Sequence, residues 1–251
     1  MTIATFYDEL APFYHLIFQD WEASIAWQAN TLDTIIRSEW GDGISTVLDV
    51  SCGIGTQAMG LAKLGYRVHG SDLSPRSVAR ARREAEERNL DIAYSVADMR
   101  QAAEHHQREF DLLVSGDNAI PHLLTDSDIL TALKSFYRCL QPKGGCLITV
   151  RDYDNEERDG PQLQSYGMRF DRGVKYFLFQ TREYHGDTYD IAMYLVQDEG
   201  KNRAETRVFR TTYYAIGTQR MRELLQEAGF SSIKLIPDQF YQPVILATKP
   251  A

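Results

Sequence analysis

No run of about 18 apolar residues occurs anywhere in this chain, so nothing in it reads as a membrane-spanning helix. The opening "MTIATFYDEL" also lacks the positively charged and then apolar stretch of a secretory leader, and the expectation is a cytoplasmic protein with no membrane partner. Cysteine is scarce. Cys52, Cys139 and Cys146 sit near apolar segments without metal-ligand spacing, which points away from a disulfide framework or a zinc module and toward reduced core thiols. Positive charge is in deficit too: 27 Lys and Arg face 35 Asp and Glu, a net charge of −8 that argues against a nucleic-acid groove as the main surface. Internal repeats, low-complexity linkers, a nucleophilic triad and paired catalytic carboxylates are missing as well.

What is present is enough for one sizeable α/β domain with an insertion: 251 residues, 43% of them hydrophobic. Residues 5 to 37 read as helical, with Leu10, Phe13, Tyr14, Ile17 and Trp21 at helical spacing and Pro12 at a turn. Strands and helices then alternate. "TVLDVS", "YRVHGSD", "DIAYSVAD", "FDLLVSGD" and "GGCLITVRDYD" read as strands, with helices over 56 to 64, from Pro75 onward and over "DSDILTALKSFYRCL". Such alternation specifies a mostly parallel, doubly wound sheet. From 155 to 215 the chain is rich in Tyr, Phe, Val and Thr, and "HGD" and "DEGKN" are turn signals; three or four antiparallel strands are expected there. The helix "TQRMRELLQEAG" and two further strands resume the α/β pattern. The division expected is a helical lid over 1–40, an α/β core over 41–154, an antiparallel insert over 155–215, and the end of the core over 216–251.

The stretch "VLDVSCGIGTQAMGLAKLGYRVHGSDLS" at 47 to 74 carries the chemistry. Gly53 and Gly55 between a strand and a helix let the backbone approach a ligand and present helix N-terminal N–H groups. Asp72 at the end of the next strand can accept both hydroxyls of a ribose, and Asp98 follows the third strand. Open parallel sheets bind ligands at these carboxyl ends. A nicotinamide dehydrogenase would show G-x-G-x-x-G, but Ser51 stands where its first glycine belongs, and a second nucleotide-binding half is not evident.

"VLDVSCGIG", "GSDLS", "ADMRQA" and "LQPKGGCLITV" resemble, in order, the successive motifs of class I S-adenosylmethionine-dependent methyltransferases over residues 47 to 150. The resemblance implies a Rossmann-like seven-stranded sheet and S-adenosylmethionine as cofactor. It places Ser51 and Gly53 at the methionine part, Asp72 at the ribose, Leu73 at the adenine face, and Asp98 with Met99 at the adenine edge, with Tyr14 and Gly116 completing the cofactor set. "SGDNAIPHL", "VRDYD", "IAMYLVQ" and "FRTTYY" are similar to segments of the glycine N-methyltransferase type. That likeness implies Arg151 on a substrate carboxylate, Asn118 orienting the substrate, and Tyr7, Tyr176 and Tyr194 lining the amine pocket. The arginine this family uses for the cofactor's carboxylate has no counterpart; Ser24 falls near its place.

The function expected is methyl transfer to the amine of a small carboxylate-bearing molecule such as glycine or sarcosine. A methyltransferase for another small molecule and a cofactor-binding sensor or scaffold without chemistry stay open, as does the oligomeric state. Other residues have plainer readings: Asp49 as a partner of nearby backbone donors, Arg151 as an ion-pair partner of Asp152 or Asp154, His122 as a packing residue, His105 and His106 in a solvated loop, and "RARREAEER" as a solvated helix face.

Overall fold

The apolar runs at 46–49 and 110–115 lie side by side at the centre of a seven-stranded sheet in the computed structural model, which describes residues 2–198, 200 and 202–251. Two helices come first, α1 (Ile3–Leu10) and α2 (Trp21–Trp40), separated by a 3-10 turn at Tyr14–Ile17. The alternation follows as β1 (Thr46–Asp49), α3 (Thr56–Lys63), β2 (Arg67–Asp72), α4 (Pro75–Glu87), β3 (Ala93–Val96), α5 (Ala102–His106), β4 (Phe110–Ser115), α6 (Asp126–Arg138) and β5 (Leu140–Thr149). Four long strands come next, β6 (Gln162–Asp171), β7 (Val174–His185), β8 (Thr188–Asp198) and β9 (Ala204–Tyr214). They pair in sequence as a separate antiparallel sheet. The chain ends with α7 (Thr218–Glu227), β10 (Ser231–Ile236) and β11 (Val244–Thr248). Of the two turns expected in the insert, the one at Gly186 joins β7 to β8; the one at 198–202 includes Glu199 and Lys201, which lie outside the described residues.

The large sheet runs β10-β11-β5-β4-β1-β2-β3, parallel except at β11. Strand order reverses between β1 and β4, which opens a crevice outside the carboxyl ends at that point. Both faces are covered. On one, Ile129, Leu133 and Phe136 of α6 and Met221 and Leu224 of α7 pack on Phe110, Leu113 and Ile148. On the other, Ile25, Leu32 and Ile36 of α2 join Met59, Leu61, Val78 and Ala81 against Val47, Leu112 and Leu147. Each such side chain contributes about 1.5–3 kcal/mol by leaving water.

The helical stretch expected over 5 to 37 is two unlike pieces. The Asp20 carboxylate accepts from Ala23 N (3.0 Å) and starts α2, whose apolar stripe belongs to the core of the large sheet. Only the piece before it packs on the antiparallel sheet, where Phe6, Leu10 and Leu16 meet Leu178, Met193, Leu195 and Phe209. The α4 face read as solvated is also partly claimed: Arg80 is buried, donates to Ala11 O (2.6 Å) and sits over the Trp21 ring. All three cysteines are free and buried, and among the described residues no helix is long and apolar enough to cross a membrane.

The fit between α2 and the sheet can be tested at Gly145. A Cβ there would lie 2.5 Å from Trp40 Cε2, so the indole, which donates to Thr248 Oγ1 at 3.0 Å, would have to move. Gly145→Ala is expected to lower stability by about 1–3 kcal/mol, read as a shifted urea midpoint with unchanged slope.

Candidate functional site

Loops leaving β1, β2, β3 and β4 enclose a cavity at the order reversal, and Tyr14, Ser51, Gly53, Asp72, Leu73, Asp98, Met99 and Gly116 all line it, together with Tyr7. The turn after β1 needs glycine for two reasons. Gly53 has φ +52°, and Gly55, at φ +94°, would carry a Cβ only 2.7 Å from the Tyr94 hydroxyl. Asp72 is set by backbone donors: Gly53 N at 2.9 Å on one oxygen and Ser74 N at 2.8 Å on the other. Each oxygen keeps a lone pair for the cavity. Burial raises its pKa, and those N–H groups pull it back.

An adenosyl group fits these residues. The Asp72 carboxylate suits a ribose diol, and Leu73, Ala97, Met99 and Leu123 supply an apolar slot beyond it. Asp98 follows β3 as expected, yet its carboxylate is gripped by Arg100, at 2.6 Å from Nη2, and Arg100 also reaches Asp128 at 2.9 Å. Burial opposes the Asp98 charge, but Arg100 outweighs it and holds the carboxyl below its ordinary range. At the far end of the cavity Ser24 does not line the wall; Thr56, which accepts from Trp21 Nε1 (2.9 Å), and Gln57, which donates to Gln28 (2.8 Å), stand there.

Asp49 lies beneath the turn, fully enclosed, with Oδ1 accepting from Ser51 N (3.2 Å) and Oδ2 without a partner. Burial raises its pKa to about 7 from 3.8. A carboxyl that keeps its proton in the folded chain but loses it in the unfolded one makes stability fall as pH rises between those two values. Asp49→Asn mimics the protonated form. It is therefore expected to match the parent in acid and to exceed it by on the order of 1–2 kcal/mol at about pH 8, after relaxation discounts the full shift. Melting curves at the two pH values check this.

A second, inner cavity shares Tyr7 and Tyr14 with the first and adds Asn118, Arg151, Tyr166, Gln180 and Tyr213. Asn118 is spent on the protein: Oδ1 accepts from Arg151 N (3.0 Å) and Nδ2 donates to Tyr153 Oη (2.7 Å). Its side chain thereby fixes the backbone that carries Arg151. Neither Asp152 nor Asp154 pairs with Arg151. Asp154 instead caps α7 through Thr218 N (2.8 Å). The nearest carboxylate, Glu156 at 3.9 Å, is already taken by Arg182 and by Tyr184 Oη (2.7 Å). Arg151 Nη1 is buried with no hydrogen-bond partner.

Two tyrosines expected in this pocket are elsewhere. Tyr194 sits on the outer face of β8, its ring stacked on Phe179 at 4.7 Å. Tyr176 faces inward but lies further along β7, packed near Phe13 in the core beneath α1. Tyr166 and Tyr213 occupy the wall instead, with Tyr189 stacked on Tyr213 behind it. His122, read as a packing residue, lines the cofactor cavity. Its Nε2 is 2.6 Å from Tyr7 Oη, its ring is 4.0 Å from that of Tyr213, and burial lowers its pKa to about 3. His106, at the end of α5, is half-buried: Nε2 is 3.1 Å from Ser71 Oγ, and burial lowers its pKa to about 4.

The inner cavity continues into a vestibule walled by Asp117, Arg151, Glu156, Tyr166, Arg182 and Tyr241. Its residues come mostly from the segments after β5 and before β11 and from the insert, with Ile17, Phe18 and Asp117 added. The cofactor cavity draws on β2 and β3, on the opposite side of the central pair. The two spaces thus take most of their walls from different halves of the sheet.

Residues 47–144 match the methyltransferase domain family. The chain is 28% identical over 226 residues to a glycine/sarcosine N-methyltransferase of Parasynechococcus marenigrum, covering 87% of this chain and 75% of that protein. Among solved structures, DesVI of Streptomyces venezuelae superposes with a TM-score of 0.79 at 18% identity over 96% of both chains. CalS10 of Micromonospora echinaspora, an amino pentose methyltransferase solved with bound S-adenosylmethionine, gives 0.75 at 18% identity over 89% of this chain and 91% of its own.

Proposed function

We propose that the chain is a class I S-adenosylmethionine-dependent methyltransferase and that it moves the methyl group to the amine of a small carboxylate-bearing acceptor, glycine or sarcosine first. The observation that carries this reading is the buried, unpartnered Nη1 of Arg151 in a cavity that shares walls with the cofactor cavity. A guanidinium with free N–H groups recognises a carboxylate by parallel hydrogen bonds. The similar protein named above acts, by its name, on glycine and sarcosine.

Asp72 would hold the ribose, Leu73 and Met99 the adenine, and the turn at Ser51 and Gly53 the methionine part. The bound cofactor supplies a sulfonium methyl that is already activated. The remaining task for the protein is alignment: Arg151 fixes the carboxylate end of the acceptor, and the walls at Tyr7 and Tyr14 place its nitrogen toward the cofactor cavity. The segment from α1 to Ile17 gives Tyr7 and Tyr14 to both spaces, and as a lid it would exclude water from the methyl donor.

Methyl transfer from labelled S-adenosylmethionine to a panel of amino acids and carboxylate-free amines tests this. Preferred methylation of glycine or sarcosine is expected. Transfer only to amines without a carboxylate, or cofactor binding with no transfer to any acceptor, would overturn it.

A further inference from the structure

We propose that Asp117 is the counter-ion of the acceptor's ammonium group and takes its proton before methyl transfer. This rests on the amine acceptor argued above and supplies the base that reaction needs.

Among the described residues, Asp117 is the one that lines all three spaces: the cofactor cavity, the inner cavity and the vestibule. Its place is built. The N–H donates to Thr149 Oγ1 (2.8 Å), the next residue's N–H donates to Thr149 O (3.1 Å), and Oδ2 accepts from Tyr14 Oη (2.6 Å). Its backbone is also left-handed, φ +54°, and is followed by Asn118 at φ +61°. Glycine would sit there without strain, so the carboxylate is retained against a local backbone cost of about 1 kcal/mol.

The charges around it have one arrangement that leaves nothing buried and unpaired. Arg182 and Glu156 neutralise each other. That leaves Arg151, no nearer than 3.9 Å to Glu156 and without a hydrogen bond at Nη1, and Asp117, which accepts from the phenols of Tyr14 and Tyr241 but pairs with no cation among the described residues; the two are close enough to influence each other without forming an ion pair. A zwitterion laid between them, carboxylate to Arg151 and ammonium to Asp117, matches both. The other groups facing Asp117 are Tyr7 of α1, Tyr14 of the 3-10 turn, Tyr166 of β6 and Tyr241 before β11. Burial raises the pKa of each of these phenols, so they stay neutral while Asp117 and the amine exchange a proton. Burial raises the Asp117 pKa too, which narrows the gap to the ammonium it must deprotonate.

The balance is complete. One ammonium N–H proton passes to the Asp117 carboxylate and leaves a neutral amine. The nitrogen lone pair forms the N–C bond as the C–S bond breaks, and that bonding pair stays on sulfur, now a neutral thioether. The product carries the positive charge as a methylated ammonium, and Asp117 returns its proton to water through the vestibule.

The test compares Asp117→Asn, Asp117→Gly and the parent protein with glycine and sarcosine across a series from neutral to alkaline pH, alongside calorimetry with S-adenosylhomocysteine. The glycine variant suits the left-handed backbone, so its folding is not in question. At neutral pH both variants are expected to lose about tenfold or more in kcat/KM. Their rates should then climb roughly tenfold per pH unit toward the ammonium's own pKa and converge on the parent, with cofactor affinity unchanged. Variants whose pH profiles run parallel to the parent's would overturn the proposal. So would a loss confined to cofactor affinity, which would place Asp117 at the donor. Failure of the parent to methylate any amine shows before a variant is made, and removes the amine reading and this proposal together.

Discussion

Asp72→Ala is expected to weaken S-adenosylmethionine binding by about 3 kcal/mol, on the order of 100-fold, because two hydroxyl hydrogen bonds to a charged acceptor are each worth ~1.5–3 kcal/mol. Part of the loss is indirect. The same carboxylate holds Gly53 N and Ser74 N, so its removal loosens the turn after β1 as well as the ribose contact. Asp72→Asn separates the two contributions only partly, since its amide would turn a donor toward one of those N–H groups. Calorimetry with S-adenosylhomocysteine gives the number, and unchanged affinity in the alanine variant would exclude the ribose role.

The second large effect is expected at Arg151. Arg151→Ala should lower kcat/KM for glycine by roughly 100-fold or more, about 3 kcal/mol, as removal of one partner of a buried charge pair does. Arg151→Lys keeps the charge but loses the planar fork, and should still raise KM strongly. Cofactor affinity should change little in both, because the guanidinium lines the inner cavity and the vestibule and not the cofactor cavity. Normal glycine methylation by both variants would exclude the carboxylate grip while leaving the methyltransferase assignment intact.

The residues expected around the cofactor line one cavity, and they could be gathered from the sequence because their pattern is local. A strand, a small-residue turn and an acidic residue closing the next strand specify their own geometry, and the sheet brings those strand ends together by topology alone. The acceptor half depends on parity and packing. In a strand of period two, Tyr194 and Met193 differ by one position and face opposite ways, and aromatic residues on both faces of the insert hide which set is inward. Tyr176 has the inward parity, yet the packing of α1 takes it into the core. The places of Asp117 and His122 follow from where the loop after β4 meets α1 and the 3-10 turn, contacts between residues more than a hundred positions apart. One missed signal was local: Asp20 before Trp21 is an N-cap, and reading it as one would have divided the helical stretch where α2 begins.

That the cofactor cavity and the vestibule take most of their walls from different halves of the sheet has a consequence for traffic. Separate entry of donor and acceptor is expected from that division, so that steric order would not dictate which leaves first. Spent donor is then expected to compete with fresh donor and not with the amine, and methylated product with the amine and not with the donor. A monomethylated amine can keep its seat while the thioether is exchanged behind it. Doubly methylated product would in that case accumulate from the first turnovers, without a lag in which the singly methylated form builds up in solution.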